Sequence, residues 1–263
     1  MMIIKIGGGE SINIRGIIAD LAEVSDPFVI IHGANALRDQ IAQELKKPKK
    51  IITSLSGYSS VFSDQTAIDL LMMAYAGLRN KRIVELCQQY GMNAVGLSGL
   101  DGKMIQGRRN TGIRIKENEK LKIVRDYSGK PQSINLELLQ LLIKNHYIPV
   151  LCIPIIDQEN FAINSENDDI VNVLQEALKS EMIFQFIEAP GFLLDSANPD
   201  SLVKNITAAE IQRLEEQVEG RMKRKMLALR KLCENANPTV FIADGRVEHP
   251  FKEALAGKGT VIK

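Results

Sequence analysis

The sequence predicts an α/β fold in which a mainly parallel sheet is sandwiched between layers of helices. Short apolar segments rich in β-branched residues alternate along the chain with longer amphipathic segments, which is the order expected of β-α-β units. The short segments are almost continuously apolar, as is typical of parallel strands that are covered on both faces. With 263 residues, the chain is long enough for one large domain or two closely joined lobes.

The apolar segments give the predicted strands, which are Met2–Ile6, Phe28–Ile31, Ala94–Leu97, Ile148–Cys152, Met182–Ile187 and Thr239–Ile242. The amphipathic segments between them predict helices at Ile12–Glu23, Ala34–Leu45, Asp64–Tyr90, Ser133–Asn145, Glu166–Lys179, Ala208–Gln217 and Arg221–Glu234. Thr207 and Glu210 have the spacing of a capping box at the start of one of these helices.

A basic segment, residues 102–124, interrupts this alternation. Its strand-like pieces, Gly112–Ile115 and Leu121–Val124, flank the turn-like stretch Lys116–Lys120. The segment therefore predicts β-hairpin excursions from the main sheet, a kind of structure in which a rigid scaffold often carries its binding residues.

Composition excludes several classes of protein. The formal net charge is +1, which gives no electrostatic case for a nucleic acid or an anionic membrane as partner. No apolar run reaches the roughly 20 residues that span a bilayer, and the start of the chain does not have the pattern of a signal peptide. The cysteines and histidines are scattered, without CxxC. We therefore expect a cytoplasmic protein with reduced thiols and no metal site of its own.

Glycines follow the first two predicted strands. Gly7 and Gly8 lie in the run after the first strand, just beyond Lys5, and Gly33 follows the second. The sequence contains neither a complete Walker A loop nor G-x-G-x-x-G after a strand. Backbone N–H groups at such turns, next to helix N-termini, nevertheless make anion sites. Two interpretations stay open, a pair of tight turns with a surface lysine or a phosphate cradle.

Two charged residues on predicted helices are candidates for the same chemistry. Lys225 falls within the apolar arc of its helix, where a lysine is uncommon unless it has an anionic partner or extends to solvent. Asp168 lies in the first turn of another helix, where a carboxylate is favoured by the helix dipole alone. Alternatively, Asp168 positions Lys5 and Lys225 around a phosphoryl group, since phosphoryl transfer depends mainly on positioning and charge neutralisation.

In order and spacing, several segments resemble the amino acid kinase family. They cover nearly the whole chain and are Lys5-Ile-Gly-Gly, His32-Gly33, Asn164-Ser-Glu-Asn-Asp168, Gly220-Arg-Met-Lys-Arg-Lys225, Ala243-Asp-Gly-Arg-Val-Glu and Gly259-Thr260. Within the family the chain is most similar to acetylglutamate kinases, and still more to kinases of aminoadipate or glutamate attached to an amino-group carrier protein. The segments that support this closer match are Gly77-Leu-Arg-Asn-Lys81, Asn93–Gly102 and Asp126-Tyr-Ser-Gly-Lys130.

The resemblance implies an open three-layer αβα sandwich and a role for each matching residue. Residues 1–179 would form a lobe for substrate binding and dimerisation, and residues 180–263 a lobe that binds ATP, with Mg²⁺ held through the nucleotide phosphates. Lys5 and Lys225 would stabilise the transferring phosphoryl group, and Asp168 would organise both lysines. Backbone N–H groups of Gly7, Gly8 and Gly33 would bind phosphate and substrate carboxylate, and the substrate-binding positions would be Gly33, Ala34, Val61 and Asn164. The product would be an acyl phosphate on a side-chain carboxylate.

The chain departs from the family pattern at positions expected to bind the substrate. Val61 stands where an arginine is expected to bind the α-carboxylate of the substrate, and Ala34-Asn35 replace two glycines of the second turn. A lost contact of about 1.5–3 kcal/mol would weaken the usual substrate roughly 10- to 150-fold. The pattern favours an active kinase with a changed substrate. Three alternatives stay open: an acetylglutamate kinase-like enzyme, a kinase of another small acid or phosphate, and a non-catalytic nucleotide- or amino-acid-binding paralogue.

Two further expectations concern partners. The basic segment Lys103–Arg125 would dock a small acidic carrier protein through complementary charge, although a solvated hairpin would have the same composition. The predicted helix Asp64–Tyr90 is long and apolar, which fits either a core helix or a dimer interface. The resemblance favours a homodimer.

Overall fold

The apolar strands pair into a sheet at the centre of the molecule. The computed structural model describes residues 1–55, 59–117, 120–195, 197–217, 220–236 and 238–263, with the side chains of 59–60, 117, 208, 217, 220–225 and 235–236 outside that description. The strands are β1 (Met2–Ile6), β2 (Phe28–His32), β3 (Ile51–Thr53), β4 (Ser59–Val61), β5 (Ala94–Ser98), β6 (Ile105–Arg109), β7 (Ile113–Glu117), β8 (Lys120–Val124), β9 (Gly129–Ile134), β10 (Ile148–Cys152), β11 (Ile155–Ile156), β12 (Ala162–Ile163), β13 (Met182–Ile187), β14 (Asn205–Ile206), β15 (Thr239–Asp244) and β16 (Thr260–Ile262).

Helices connect most of these strands. They are α1 (Ile14–Leu21), α2 (Asn35–Glu44), α3 (Gln65–Leu71), a π-helix (Met72–Arg79), α4 (Asn80–Gln89), α5 (Leu136–Lys144), α6 (Asn167–Leu178), α7 (Ala208–Gln217), α8 (Gly220–Ala236) and α9 (Pro250–Leu255), with short 3₁₀ turns at Asp101–Lys103 and Pro199–Ser201. Asp64 caps α3 by accepting a hydrogen bond from the Ala67 N–H, and Asn135 caps α5 in the same way through the Leu138 N–H.

The main sheet has the strand order β14-β16-β15-β13-β1-β2-β10-β5 in the described residues. Its neighbouring strands are parallel except for β15 and β16, which are antiparallel. Strands from the first part of the chain lie on one side of β1, and β13 begins the group from the later part on its other side. In such sheets the crevice beyond the carboxyl ends of the strands, at the point where the order reverses, is the usual ligand site.

Helices cover both faces of this sheet. In β1, Ile3 belongs to the core cluster that includes residues of α3, α6 and α8, whereas Ile4 and Ile6 belong to the cluster with α1, α4 and α9. This alternation follows from the two-residue period of a strand. All five residues of β1 and of β2 are buried, which explains why every residue of the two strands except Lys5 and His32 is apolar. The predicted α/β class with a mainly parallel central sheet is confirmed.

A smaller group of strands stands beside the main sheet. β12, β11, β6 and β9 form a second sheet, and β3–β4 and β7–β8 form antiparallel pairs. The predicted hairpin is present as β7 and β8, and the centre of its turn, residues 118–119, lies outside the described residues. The second sheet was not predicted. β6, within the basic segment, pairs antiparallel with β9 instead of belonging to an excursion from the main sheet.

The structure corrects the predicted helix Asp64–Tyr90. It begins at Gln65 and contains the π-helical segment Met72–Arg79 between two α-helical parts. The predicted lobe boundary at residue 180 falls between α6 and β13. Because β13 lies between β15 and β1 in the main sheet, strands from both predicted lobes share one sheet, and the division into lobes stays a prediction. Across the described residues, no helix has the length and apolarity to cross a membrane.

Candidate active site

Two glycine turns meet at the carboxyl edge of the sheet, where β1 and β2 end. An added Cβ at Gly8 would lie 2.7 Å from the backbone nitrogens of Ala34 and Asn35. Glycine is therefore required here by the close approach of two backbones. The Gly7 and Gly33 N–H groups are already bonded, to the carbonyl oxygens of Phe186 and Ile6, each at 2.9 Å.

The predicted set of backbone donors changes accordingly. Within the described part of the chain, the Gly8 N–H makes no hydrogen bond to a backbone carbonyl, unlike those of Gly7 and Gly33, and the Ala34 N–H faces the Tyr75 hydroxyl. Ala34 is fully buried and immediately precedes α2. An anion bound at this turn would therefore face the Gly8 N–H and the N-terminus of a helix.

Lys5 and Asp168 meet beside these turns. Lys5, on β1, is buried, and its Nζ donates a hydrogen bond to the carboxylate of Asp168 in the first turn of α6. A buried ammonium requires an anionic or hydrogen-bonding partner to offset its lost hydration. The sequence hypothesis paired these two residues, and the structure brings them together.

Lys225 lies on α8, and its side chain is outside the description. The apolar arc on which it was placed is buried at Met226, Leu229, Leu232 and Cys233. The helix also contacts α6, where the side chain of Asn172 donates to the Ala228 carbonyl at 3.1 Å. The meeting of Lys225 with Asp168 stays a prediction.

Asn164 lies in a hydrogen-bonded cluster with the segment that follows Val61. Its Nδ2 donates to Ser63 Oγ at 3.0 Å, and Ser63 Oγ in turn donates to the Val61 carbonyl at 3.3 Å. Val61 itself ends β4 and pairs with Ile51. Two of the predicted substrate-binding positions, Val61 and Asn164, are thus connected through Ser63 by two hydrogen bonds.

The segment from Asn164 to the first residue of α6 carries buried polar atoms without a hydrogen-bond partner in the described structure. Ser165 Oγ and Asn167 Oδ1 have no hydrogen-bond acceptor or donor in the described structure, although Asn167 Nδ2 donates to the His32 carbonyl at 3.0 Å. Buried polar groups are normally satisfied. Their position between Asn164 and Asp168 fits a site that binds a polar ligand.

Asp126 and Tyr127 belong to this site, and no chemical role was predicted for them. The Asp126 carboxylate, buried, accepts from the N–H groups of Ser63 at 2.9 Å and Ser128 at 3.1 Å. The Tyr127 N–H donates to the Ser63 carbonyl, and its carbonyl accepts from Asn164 N–H, both at 2.7 Å. The segment was noticed only as part of a resemblance, because no residue spacing links it to position 63 or 164.

His32 supports the second turn as a neutral residue. Burial lowers the pKa of His32 to about 3. Its Nδ1 lies 3.3 Å from the Gly33 carbonyl oxygen, and its Nε2 lies 3.2 Å from Asn80 Nδ2. Beside it, the Tyr75 hydroxyl donates to Asn35 Oδ1, and burial raises the pKa of Tyr75 to about 12. Both rings therefore stay uncharged near neutral pH.

A cleft lies over the other half of the same edge. Its volume is about 370 Å³, and its lining includes Pro190, Lys204, Asp244 and Lys258, which are residues at or near the ends of β13, β14, β15 and β16. Between the cleft and the glycine turns, the Glu188 carboxylate lies against Gly9 and accepts from Ser11 N and Oγ at 2.8 and 2.6 Å. These bonds hold the pKa of Glu188 below its usual value. Among the described residues no cluster of three or more His, Cys, Asp or Glu could hold a metal ion.

Comparison with known proteins agrees with this geometry. The model of the amino acid kinase family matches residues 1–244. The LysW-aminoadipate kinase of Thermus thermophilus is 37% identical over 269 residues, covering 100% of both chains. The enzyme of the same name from Deinococcus radiodurans is 36% identical, covering 100% of this chain and 91% of its own. The solved carbamate kinase of Giardia has a TM-score of 0.66 at 14% identity, covering 99% of this chain and 97% of its own. The chain belongs to the amino acid kinase family and is a phosphotransferase.

Proposed function

We propose that this protein transfers the γ-phosphoryl group of ATP to the side-chain carboxylate of aminoadipate or glutamate whose amino group is attached to a carrier protein, in lysine- or arginine-type biosynthesis. The observation that carries the proposal is the Lys5–Asp168 ion pair beside the glycine turns of β1 and β2. Support comes from the two relatives above, which are named for LysW-aminoadipate.

The site residues have separate tasks in this reaction. A carboxylate oxygen attacks the γ-phosphorus, the bond from that phosphorus to the bridging oxygen breaks, and ADP leaves. Lys5 Nζ stabilises charge on the phosphoryl oxygens, and Asp168 fixes the direction in which Lys5 points. The Gly8 N–H donates to the same anion. Lys225 is proposed as the second cation of this arrangement.

The nucleotide is proposed to occupy the cleft over β13, β15 and β16. The cleft, at about 370 Å³, has the size of small-molecule sites, roughly 300–1,000 Å³. Lys204 and Lys258 line it together with Asp244 and Glu253; Lys258 Nζ is paired with Glu253 at 3.2 Å, so Lys204 is the proposed contact for an anionic ligand. Mg²⁺ would be held through the nucleotide phosphates and would neutralise their charge.

The hairpin β7–β8 is the proposed docking surface for an acidic carrier. It carries Arg114, Lys116, Lys120 and Lys122 on paired strands. Leu121 and Ile123 are 73% and 67% exposed. Basic residues around exposed apolar side chains suit a partner that is acidic overall and has apolar anchors, since charge guides the encounter and apolar burial holds the complex.

An ADP-release assay tests the proposal. Substrates are carrier-bound aminoadipate, carrier-bound glutamate and the free N-acetyl derivatives of both amino acids. Turnover of a carrier-bound substrate is expected, and Lys120→Glu with Lys122→Glu should lower its kcat/KM while leaving any turnover of the free derivatives unchanged. Lys144→Glu, one charge reversal at an exposed position of α5, is the control for each hairpin substitution made singly. Binding of ATP without turnover of any of these compounds would refute the proposed reaction and favour a non-catalytic paralogue.

A further inference from the structure

Arg109, the last residue of β6, joins the hydrogen-bonded cluster around Asn164. Its guanidinium carbon lies 4.0 Å from the centre of the Tyr127 ring, and its Nε donates to the Asp126 carbonyl at 2.7 Å. Tyr127 bonds through its backbone to Ser63 on one side and to Asn164 on the other. A half-buried guanidinium is thereby fixed next to the residues that flank position 61.

The proposed substrate brings two carboxylates into this region. The side-chain carboxylate accepts the phosphoryl group, whereas the α-carboxylate keeps its charge throughout the reaction. A carboxylate that leaves water needs a cation or several N–H donors. Val61, at the position of the expected arginine, has an apolar side chain, and the Asn164 amide nitrogen is already bonded to Ser63 Oγ.

We propose that Arg109 binds the α-carboxylate of the substrate and replaces the arginine that is absent at position 61; this inference rests on the proposed function. Arg109 Nε is engaged, while its two Nη groups have no acceptor in the part of the chain that the structure describes. They form the planar fork that binds a carboxylate through two parallel hydrogen bonds. The Tyr127 ring and the Asp126 carbonyl hold that fork in one orientation, so less side-chain freedom is lost on binding.

Arg108, the preceding residue of the same strand, provides the matched control. Successive side chains of a strand point to opposite faces, and Arg108 is exposed whereas Arg109 is partly buried. Removal of either arginine changes the net charge of the basic segment equally. An effect on substrate that occurs at Arg109 but not at Arg108 therefore reports a specific contact and not the general field of the hairpin.

The test measures how strongly the protein distinguishes a carboxylate from a carboxamide. Calorimetry of the full chain with ADP and Mg²⁺ compares N-acetyl-L-aminoadipate with its α-carboxamide, and the ADP-release assay uses carrier-bound aminoadipate. The wild type should bind the acid about 10- to 100-fold more tightly than the amide, the range expected of a charge-assisted contact. Arg109→Ala should reduce this ratio to about threefold or less, Arg109→Lys should keep part of it, and Arg108→Ala should keep all of it.

A second variant distinguishes loss of a specific contact from general unfolding of the protein. Val61→Arg in the Arg109→Ala background should restore a preference for the acid, which a misfolded protein could not do. An unchanged preference in Arg109→Ala, or no binding of either compound to the wild type, would overturn the inference. Preference for the acid without phosphoryl transfer to any substrate would instead contradict the proposed function alone.

Discussion

Lys5 Nζ donates a hydrogen bond to the carboxylate of Asp168, although the two residues are 163 positions apart in the sequence. β1 brings the lysine to the carboxyl edge of the sheet, and the first turn of α6 brings the carboxylate to the same place. The pair forms because parallel strands and the helices between them expose strand carboxyl ends and helix N-termini along one edge.

Replacing Lys5 by Met should lower kcat by about 10²- to 10³-fold, the loss typical when one preorganised charge or donor is removed from a transition state. The KM for ATP should change much less, because the cleft over β13 and β15 retains its lining. Steady-state kinetics of ADP release measures both quantities. Lys144→Met, at an exposed position of α5, should keep wild-type kinetics, and a kcat for Lys5→Met within threefold of wild type would remove Lys5 from the mechanism.

Replacing Gly8 by Ala should lower kcat/KM by about 100-fold or more. The new methyl carbon would lie 2.7 Å from the backbone nitrogens of Ala34 and Asn35, so the two turns must separate, and misplacement by about 1 Å costs this much in rate. Gly77→Ala is the control, because its Cβ would meet only the Met72 carbonyl at 3.4 Å. Kinetics and thermal unfolding of both variants check the prediction; equal activity of the two would contradict it.

Six of the eight strands that form the main sheet in the described residues could be predicted from sequence, because they are mainly apolar runs, whereas the short edge strands β14 and β16 were not predicted. β1, β10 and β13 begin and end at the predicted residues, since both faces of each are covered and each run is apolar apart from single polar residues such as Lys5 in β1 and Gln185 in β13. β9 could not be predicted. Its sequence, Gly129 to Ile134, contains Gly, Pro and polar residues, and it is a strand because β6 pairs with it. Tertiary pairing decides such strands more than local preference does.

The site likewise has a part that could be predicted from sequence, Lys5 with Asp168, and a part that could not, Asp126 with Ser63 and Asn164. Lys5 and Asp168 could be paired in advance because a strand end and a helix start are positions that the fold class already specifies. Asp126 could not be connected to Ser63 and Asn164. The three residues come from separate loops, and their hydrogen bonds depend on the second sheet, whose strands the sequence did not reveal.

Met73 and Leu78, on the π-helical segment, should lie in a homodimer interface. Both side chains are about half exposed, while Ile68, Leu71 and Ala74 of the same helix are buried in the core. The helix therefore has one apolar face in the core and a second apolar face at the surface. Replacing Met73 and Leu78 together by Glu should convert a dimer to a monomer in light scattering after size-exclusion chromatography. Leu141→Glu, at an exposed position of α5, should leave the mass unchanged. A wild-type protein of monomer mass would refute this assembly.

His32 should make the protein less stable in mild acid. Burial lowers its folded-state pKa from 6.5 to about 3, so between these values the unfolded chain binds a proton that the folded chain does not. The free energy of unfolding therefore falls as pH drops below about 6.5, by about 1.4 kcal/mol per pH unit, or about 2 kcal/mol between pH 7 and pH 5. Urea unfolding at both pH values should show this loss in the wild type and in His146→Asn, whose histidine is exposed. The loss should be smaller by about 2 kcal/mol in His32→Asn, whatever that variant's stability at pH 7, because asparagine does not titrate. If His32→Asn and His146→Asn lose equal stability over this range, protonation of His32 is not the cause.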